Sequence, residues 1–300
     1  MIPQTIELDF VTPLFSYGAD PSQPEIRAAS IRGQLHQWFR LVKGTFGQER
    51  GVFGGIKVRN VPSAGSESGS RLVVRVGETD YTRKVASNPT LPHKQGGQSA
   101  PKPSFPAGTK FTLHLSLRRP GPPEEEEVLS RAIDAWILFG GLGGRSTRAG
   151  GSIQRCGHTF ASEEEFHRNV SEAIPNGIQK RHFLYRILPS SYTDERKART
   201  IATDTLGGPF NAGNAASDLA RLHYPLGVVK DKKANQNAPR RKTSPLKLKV
   251  ARFSDGLRLI AVWDTRQTVT GNSVEDFKGM IQALKQKNKR LGGELSGEWV

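Results

Sequence analysis

The pattern of apolar and polar positions predicts short strands alternating with amphipathic helices. Near the amino terminus Ile6, Leu8 and Phe10 alternate with acidic residues, which is typical of a strand with one buried face. Apolar residues then recur at helical spacing between Ser30, a plausible N-cap, and Gly44, a plausible stop signal. This predicts a first amphipathic helix whose apolar positions are Ile31, Leu35, Trp38, Phe39 and Val42.

The rest of the first half continues this alternation of elements. Strand candidates lie at residues 52–58, 71–76 and 110–117. A second helix is predicted after Pro122 and Pro123, because a run of four glutamates there suits the positive end of the helix dipole. With a last strand at 153–156, the order is β-α-β-β-α-β, as in a ferredoxin-like or RRM-like unit.

The second half predicts a related unit. Strand patterns at residues 246–250 and 257–263 precede a helix that Ser273 and Asp276 open as a capping box. We therefore predict an α+β fold of two tandem ferredoxin-like (RRM-like) domains, residues 1–157 with a glycine-rich loop and residues 158–300. Long loop insertions are expected at residues 61–70, 86–108 and 230–245, which are rich in Gly, Pro, Ser, Asn or charge.

The charge of the chain points to a polyanionic partner. Lysine and arginine total 44 against 28 acidic residues, so the formal net charge is +16. An acidic protein is an alternative partner. A membrane is not expected, because no apolar run approaches the roughly 18–20 residues that span a bilayer. The single Cys156 and the lack of a signal-peptide pattern predict a cytoplasmic protein without an internal disulfide, and no cofactor is expected.

The first helix carries a row of cations opposite its apolar face. Arg32, His36 and Arg40 follow one another at four-residue spacing, and Lys247 with Lys249 forms a second basic row. A phosphate backbone requires such rows of exposed cations, which favours nucleic-acid contact. A solvated helix face is the alternative explanation.

The segment GGLGGRSTRAGG, residues 140–151, is the most unusual stretch. Its glycines allow close backbone approach, and Arg145, Ser146, Thr147 and Arg148 add charge and hydroxyl groups that suit RNA phosphates. A P-loop is a weaker hypothesis, because the spacing is one residue short, an arginine replaces the lysine and a helix precedes the segment. A flexible connector is a further alternative.

A third basic stretch lies in the loop at residues 230–245. It includes Arg240, Arg241 and Lys242, which predict either an arm that becomes ordered on RNA or a solvated loop.

Catalytic patterns are sparse. The seven histidines show no metal-binding pairing, so neither a metal site nor a catalytic site is predicted. Asp20 could assist metal-dependent RNA cleavage, although an aspartate near Gly18 and Pro21 is more typical of a turn. Phe15 and Tyr17 could stack on bases or be buried.

Several segments together resemble a known family. Residues 12–40 with VFGG at 52–55, the glycine-rich segment 140–152 and RRKTSPLKLKV at 240–250 are similar to motifs of the RAMP superfamily of CRISPR proteins. Within that superfamily they resemble the first subunits of type III-B (Cmr) effector complexes. The matches cover about a fifth of the chain and occur in the family's order.

The resemblance implies a non-catalytic RNA-binding subunit at one end of a filament of Cmr and other RAMP subunits. It would contact the 3′ side of the CRISPR RNA, or the target RNA, in antiviral defence. The alternative is a RAMP endoribonuclease that cleaves precursor or target RNA. The sequence departs from the family pattern at His36 and Gln37, where a basic residue and an aromatic residue are usual. The family motifs imply RNA contacts by Arg27, Arg32, His36, Arg40, Arg145, Arg148, Arg240 and Arg241.

Overall fold

A computed structural model describes residues 3–55, 67–80, 84–175, 182–204, 244–266, 274–287 and 289–300. The elements of the first half are β1 (Gln4–Phe10), α1 (Ala28–Leu41), α2 (Phe46–Phe53), β2 (Leu72–Thr79), β3 (Ala86–Pro89), β4 (Pro101–Ser104), β5 (Lys110–Leu117), α3 (Pro123–Phe139) and β6 (Ile153–Arg155).

Four of these strands form an antiparallel sheet in the order β2-β5-β1-β6. Ile6 pairs with Leu113 and Leu8 with Phe111, so the apolar sides of β1 and β5 share one face. All four of these side chains are buried. The strand predicted at β1 is confirmed, and β5 occupies the predicted residues. The predicted alternation holds through Leu8 only, because Asp9 is also buried and accepts from Arg252.

The second half contains α4 (Glu163–Ala173), β7 (Phe183–Tyr192), α5 (Glu195–Asp204), β8 (Leu246–Phe253), β9 (Gly256–Asp264), α6 (Val274–Lys287) and α7 (Lys289–Leu295). Its described strands form an antiparallel sheet in the order β7-β9-β8. The strands predicted at 246–250 and 257–263 are thus confirmed as β8 and β9. The fold is mixed α and β with antiparallel sheets.

The larger hydrophobic core crosses from one half of the chain to the other. Trp38 of α1 and Phe139 of α3 pack against Phe183 of β7, with ring centroids 6.2 and 5.3 Å from it. One face of β8 contributes Ala251 and Phe253 to this larger core. The other face, with Leu248, packs in a second core against α5, α6 and α7, which includes Met280. Strand β8 is therefore buried on both faces.

Three predictions of local structure were wrong. Val52 and Phe53 end helix α2 rather than starting a strand, because Thr45 and Gln48 form a capping box that begins a helix. Residues 86–108 are not a structureless insertion, since they contain the β3–β4 hairpin and a short 3₁₀ helix. The N-cap of α1 is Arg27 rather than Ser30.

Other predictions fall outside the described residues. These are most of the loops at 61–70 and 230–245, and the cap residue Ser273. Of the helices that the structure describes, none has the length and apolar composition to cross a bilayer.

Candidate nucleic-acid interface

The glycine-rich segment forms a tight double loop against residues 12–15. The amide of Gly144 donates to the carbonyl of Phe15 at 2.6 Å, and the amide of Gly151 donates to that of Pro13 at 2.9 Å. Gly143 has a φ of 75°, and a β-carbon there would lie 2.5 Å from the carbonyl oxygen of Phe15. The glycines thus permit close backbone approach, as predicted, and the backbone approached is that of the protein itself.

Arg148 lies at the base of this loop and is 1% exposed. Its guanidinium donates to the carbonyls of Thr147 and Leu246, both at 2.7 Å, and to Ser244 Oγ at 3.1 Å. Burial, with a contribution from Arg145, lowers the pKa of Arg148 to about 10. The expectation that Arg148 projects toward RNA is therefore wrong for this conformation, because the side chain joins the loop to β8.

Other residues of the loop remain accessible. Arg145 is exposed and has a positive φ of 62°, while Ser146 and Thr147 are half-buried. Arg27, at the N-cap of α1, is also exposed and donates to the carbonyl of Tyr17 at 3.3 Å. Arg27 and Arg145 therefore keep the exposure that phosphate contact requires.

Two cations of the α1 row share one buried carboxylate. His36 Nδ1 lies 2.7 Å from Glu49 Oε1, and Arg40 Nε donates to both Glu49 oxygens at 2.9 and 2.8 Å. The His36 ring packs on Phe53, with centroids 3.8 Å apart. Glu49 thus fixes His36 and Arg40 together, and the Arg40 side chain remains 59% exposed.

Arg32 contacts protein groups instead. Its guanidinium donates to Ser70 Oγ at 2.7 Å and to the carbonyl of Phe53, and it lies over the Phe53 ring. Burial and the nearby Arg118 lower the pKa of Arg32. Arg32 joins α1 to α2 and to the start of β2, whereas Arg145 adjoins the glycine-rich loop, so these two arginines contact different elements.

The predicted basic row at Lys247 and Lys249 is wrong, because both side chains are buried. The ammonium of Lys247 lies 5.0 Å from the centroid of the Trp38 ring, and that of Lys249 donates to the carbonyl of Ile137. Burial lowers the pKa of Lys247 to about 8 and that of Lys249 well below its ordinary value.

Asp20 has the geometry of a turn. Its Oδ1 accepts from the amide and the hydroxyl of Ser22 at 2.8 and 2.6 Å, and these bonds lower the pKa of Asp20. In the part of the chain that the structure describes, no group of three or more His, Cys, Asp or Glu side chains could hold a metal ion. Phe15 is buried, and Tyr17 donates to the carbonyl of Pro103 at 2.6 Å.

The remaining predicted contacts, Arg240, Arg241 and Lys242, lie outside the described residues.

Comparison with known proteins connects this geometry to a family. The family model of the RAMP superfamily matches residues 7–154, which run from β1 through the glycine-rich loop to β6.

About half of the chain therefore resembles the RAMP superfamily.

A curated relative also matches about half of the chain. The protein named CRISPR system Cmr subunit Cmr1-2, from Pyrococcus furiosus, is 26% identical over 196 residues. The matched region is 51% of this chain and 95% of that protein.

Solved structures share the fold of this chain. The apo crystal structure of Cmr1 from Pyrococcus furiosus has a TM-score of 0.54 at 16% identity, over 94% of this chain and 97% of that one. A chain of the type III-B Cmr-beta complex, bound to cognate target RNA and AMPPnP in the presence of ssDNA, has a TM-score of 0.55 at 11% identity, over 95% and 99%. The fold match therefore extends over nearly the whole chain.

The sequence patterns did not predict Glu49, the carboxylate that contacts His36 and Arg40 of α1. The capping-box residues Thr45 and Gln48 were the available signal, since they start a helix that places Glu49 in its first turn. Recognising that helix would have placed an acid beside the basic row.

Proposed function

We propose that this chain is a non-catalytic RNA-binding subunit of a type III-B CRISPR effector complex. It would cap the filament near the 3′ side of the CRISPR RNA, contact that RNA and its target, and pack against other Cmr/RAMP subunits in the cytoplasm during antiviral defence. The observation that carries the proposal is the relation to a named Cmr subunit over 95% of that protein's length. The net charge of +16 supports an RNA partner.

The exposure of the basic side chains decides which of them we propose as RNA contacts. Arg27, Arg40 and Arg145 are exposed and form the proposed phosphate contacts, together with His36 beside Arg40. Ser146 and Thr147 follow Arg145 and could add hydroxyl contacts, and Arg240, Arg241 and Lys242 remain proposed contacts. We propose a structural role, rather than RNA contact, for Arg32, Arg148, Lys247 and Lys249. Their charged groups contact protein atoms beneath the surface.

The test is the salt dependence of single-stranded RNA binding. Each neutralised phosphate contributes about −0.7 to the slope of log affinity against log salt. Replacing Arg27, Arg40 and Arg145 by alanine should therefore make the slope shallower by about 2. Lys247→Met is the matched control, since it removes a buried cation and should leave the slope unchanged. An unaltered slope in the triple variant would contradict the contact set.

The non-catalytic role is tested by incubating the protein with CRISPR repeat RNA and target RNA in Mg²⁺ or EDTA. His36 is included because a histidine held by a carboxylate is also the arrangement of a general base. We expect intact RNA. Cleavage that Asp20→Ala or His36→Ala abolishes would instead establish the endoribonuclease alternative.

We also propose that the two halves are tandem ferredoxin-like units that meet near residue 157. The β-α-β-β-α-β order around the four-stranded sheet supports this for the first half. Among the described elements of the second half, β7, α5, β8, β9 and α6 follow one another in the order β-α-β-β-α. The α2 helix and the β3–β4 hairpin are insertions in the first unit.

A further inference from the structure

A pocket of about 260 Å³ opens between α3, β6 and α4, on elements that carry none of the proposed phosphate contacts. Ile137, Leu138 and Phe160 are its buried apolar lining. Six polar side chains complete the wall, namely Asp134, Gln154, Arg155, His158, Asn169 and Glu172. Gln154 is held by the protein, because its Nε2 donates to the carbonyl of His158 and its Oε1 accepts from the amide of Arg252, both at 2.9 Å. His158 Nε2 lies 3.6 Å from Glu165 Oε1. An apolar surface with a few polar groups is the usual construction of a small-molecule site.

Two of these polar groups are carboxylates, and the cation Arg155 lies beside one of them. Arg155 donates to Asp134 Oδ1 at 3.0 Å, which leaves Oδ2 of Asp134 as an acceptor. Glu172 adds a second carboxylate, and the half-buried Asn169 adds an amide that can donate or accept. The Arg155 side chain is 51% exposed, so its guanidinium is also accessible to a phosphate.

Among the RNA bases, guanine matches this arrangement. Its Watson–Crick edge carries two adjacent donors, the ring N1–H and the 2-amino group, and carboxylate oxygens accept from both. Adenine and cytosine place a ring acceptor beside their amino group, and uracil has one donor between two acceptors, so each would set an acceptor against a carboxylate. The amide of Asn169 can donate to the guanine O6.

We propose that this pocket binds a single unstacked guanine of an RNA strand, with Asp134 accepting from its Watson–Crick edge and Arg155 meeting its phosphate. Reading of one base in an apolar pocket is a common mode of single-strand recognition. The proposal rests on the proposed RNA-binding function and adds a base preference to it.

The experiment compares a nine-nucleotide oligouridine with the same strand carrying one central guanine, inosine or adenine. Burial raises the pKa of Asp134, with Arg155 opposing, so binding is measured at pH 8 to keep the carboxylate ionised. We expect the guanine strand to bind about tenfold more tightly than oligouridine, the scale of a hydrogen bond to a charged group. Inosine lacks the 2-amino group and should lose most of this gain.

Two variants test the pocket itself. Asp134→Asn should remove the preference for guanine, while Glu124→Gln, which removes an exposed carboxylate from the same helix, should retain it. Ala173→Leu fills the pocket without altering a polar group and should also remove the preference.

The outcomes separate the two proposals. Equal affinity of wild-type protein for the guanine and uridine strands would overturn the pocket assignment, and so would a preference that survives both Asp134→Asn and Ala173→Leu. Failure to bind any of the strands would overturn the RNA-binding function instead.

Discussion

Glu49 shows how one buried side chain can organise a basic surface. Its carboxylate is 7% exposed and accepts from His36 and Arg40 on the neighbouring helix. Burial alone would raise the pKa of Glu49, but the hydrogen bonds from Arg40 and His36 outweigh that effect and lower it. The ionised carboxylate is therefore the form that the folded protein stabilises.

Glu49→Gln should lower the free energy of unfolding by about 1–3 kcal/mol at pH 7, because charge-assisted bonds to two partners are lost. A lowered pKa means that this stabilisation is present above the ordinary value of 4.5 and is lost as pH falls through the folded-state value. Urea denaturation at pH 7 and at pH 3.5 should thus show a difference between variant and wild type that shrinks at the lower pH. Glu127→Gln breaks an exposed pair with Arg131 and should cost less than about 0.5 kcal/mol.

Lys247 gives the opposite sign of pH dependence. Its folded-state pKa of about 8 lies below the ordinary 10.5, so the unfolded chain binds more protons between these values and stability rises with pH across them. Lys247→Met removes this contribution along with the cost of burying an ammonium group. We expect the variant to be up to about 2 kcal/mol more stable than wild type at pH 7, with the gain shrinking by pH 10 in guanidinium denaturation.

Lys197→Met is the control for this comparison, because the Lys197 side chain is 67% exposed. Its stability is measured beside that of Lys247→Met and serves as the reference for removing an exposed lysine. A Lys247→Met variant that is less stable than wild type at pH 7 would show instead that the contact between the ammonium group and Trp38 outweighs the desolvation cost.

At the scale of elements, the glycine-rich loop depends on positions that only glycine can occupy. Gly143→Ala introduces a side chain at positive φ and within 2.5 Å of a backbone oxygen, so it should destabilise the protein by about 2 kcal/mol or more. Gly33→Ala is the matched control, because that glycine lies in α1 with open space around it and alanine there should stabilise by about 0.5–1 kcal/mol. Midpoints of urea denaturation measure both, and equal midpoints would contradict the role assigned to Gly143.

The sequence predicted those elements whose hydrophobic period is regular. Strand β5 alternates over its whole length, and α3 begins at a proline with acids in its first turn, so both were found. Helix α2 is short and ends with Val52 and Phe53, residues of high strand propensity, and its start was recognisable only from the cap. Pro89 ends β3 and Pro101 begins β4. Prolines at these positions are typical of a loop, so the sequence alone did not predict the hairpin.

The sequence indicates which segments carry basic residues, but not which of those side chains are buried. Alternation of Leu246, Leu248 and Val250 indicates one apolar face, and it gives no sign that Lys247 and Lys249 face a second packed layer. That layer is formed by α1 and α3, far away in sequence, so the burial of the lysines depends on tertiary structure. The same argument applies to Arg148, whose partners lie about a hundred residues further along the chain.

At the scale of the whole molecule, side chains of the second half form hydrogen bonds with carbonyls at the ends of two helices of the first half. The carbonyl of Leu41, at the end of α1, lies 2.9 Å from His182 Nδ1, and the carbonyl of Ile137, near the end of α3, accepts from Lys249. The last carbonyls of a helix have no partner within it and carry the negative end of its dipole. Donors from the second half thus satisfy groups that the first half cannot satisfy alone.

This arrangement predicts that the two proposed units do not fold independently. A fragment of residues 1–157 would expose Trp38 and Phe139, which pack on β7 in the full chain, and would leave the ends of α1 and α3 unsatisfied. We expect the fragment to lack dispersed amide NMR signals and to bind a hydrophobic dye. Co-expression with residues 158–300 should restore both dispersion and a single unfolding transition. A fragment that is well folded alone would show that the shared core is an interface between two independently stable domains.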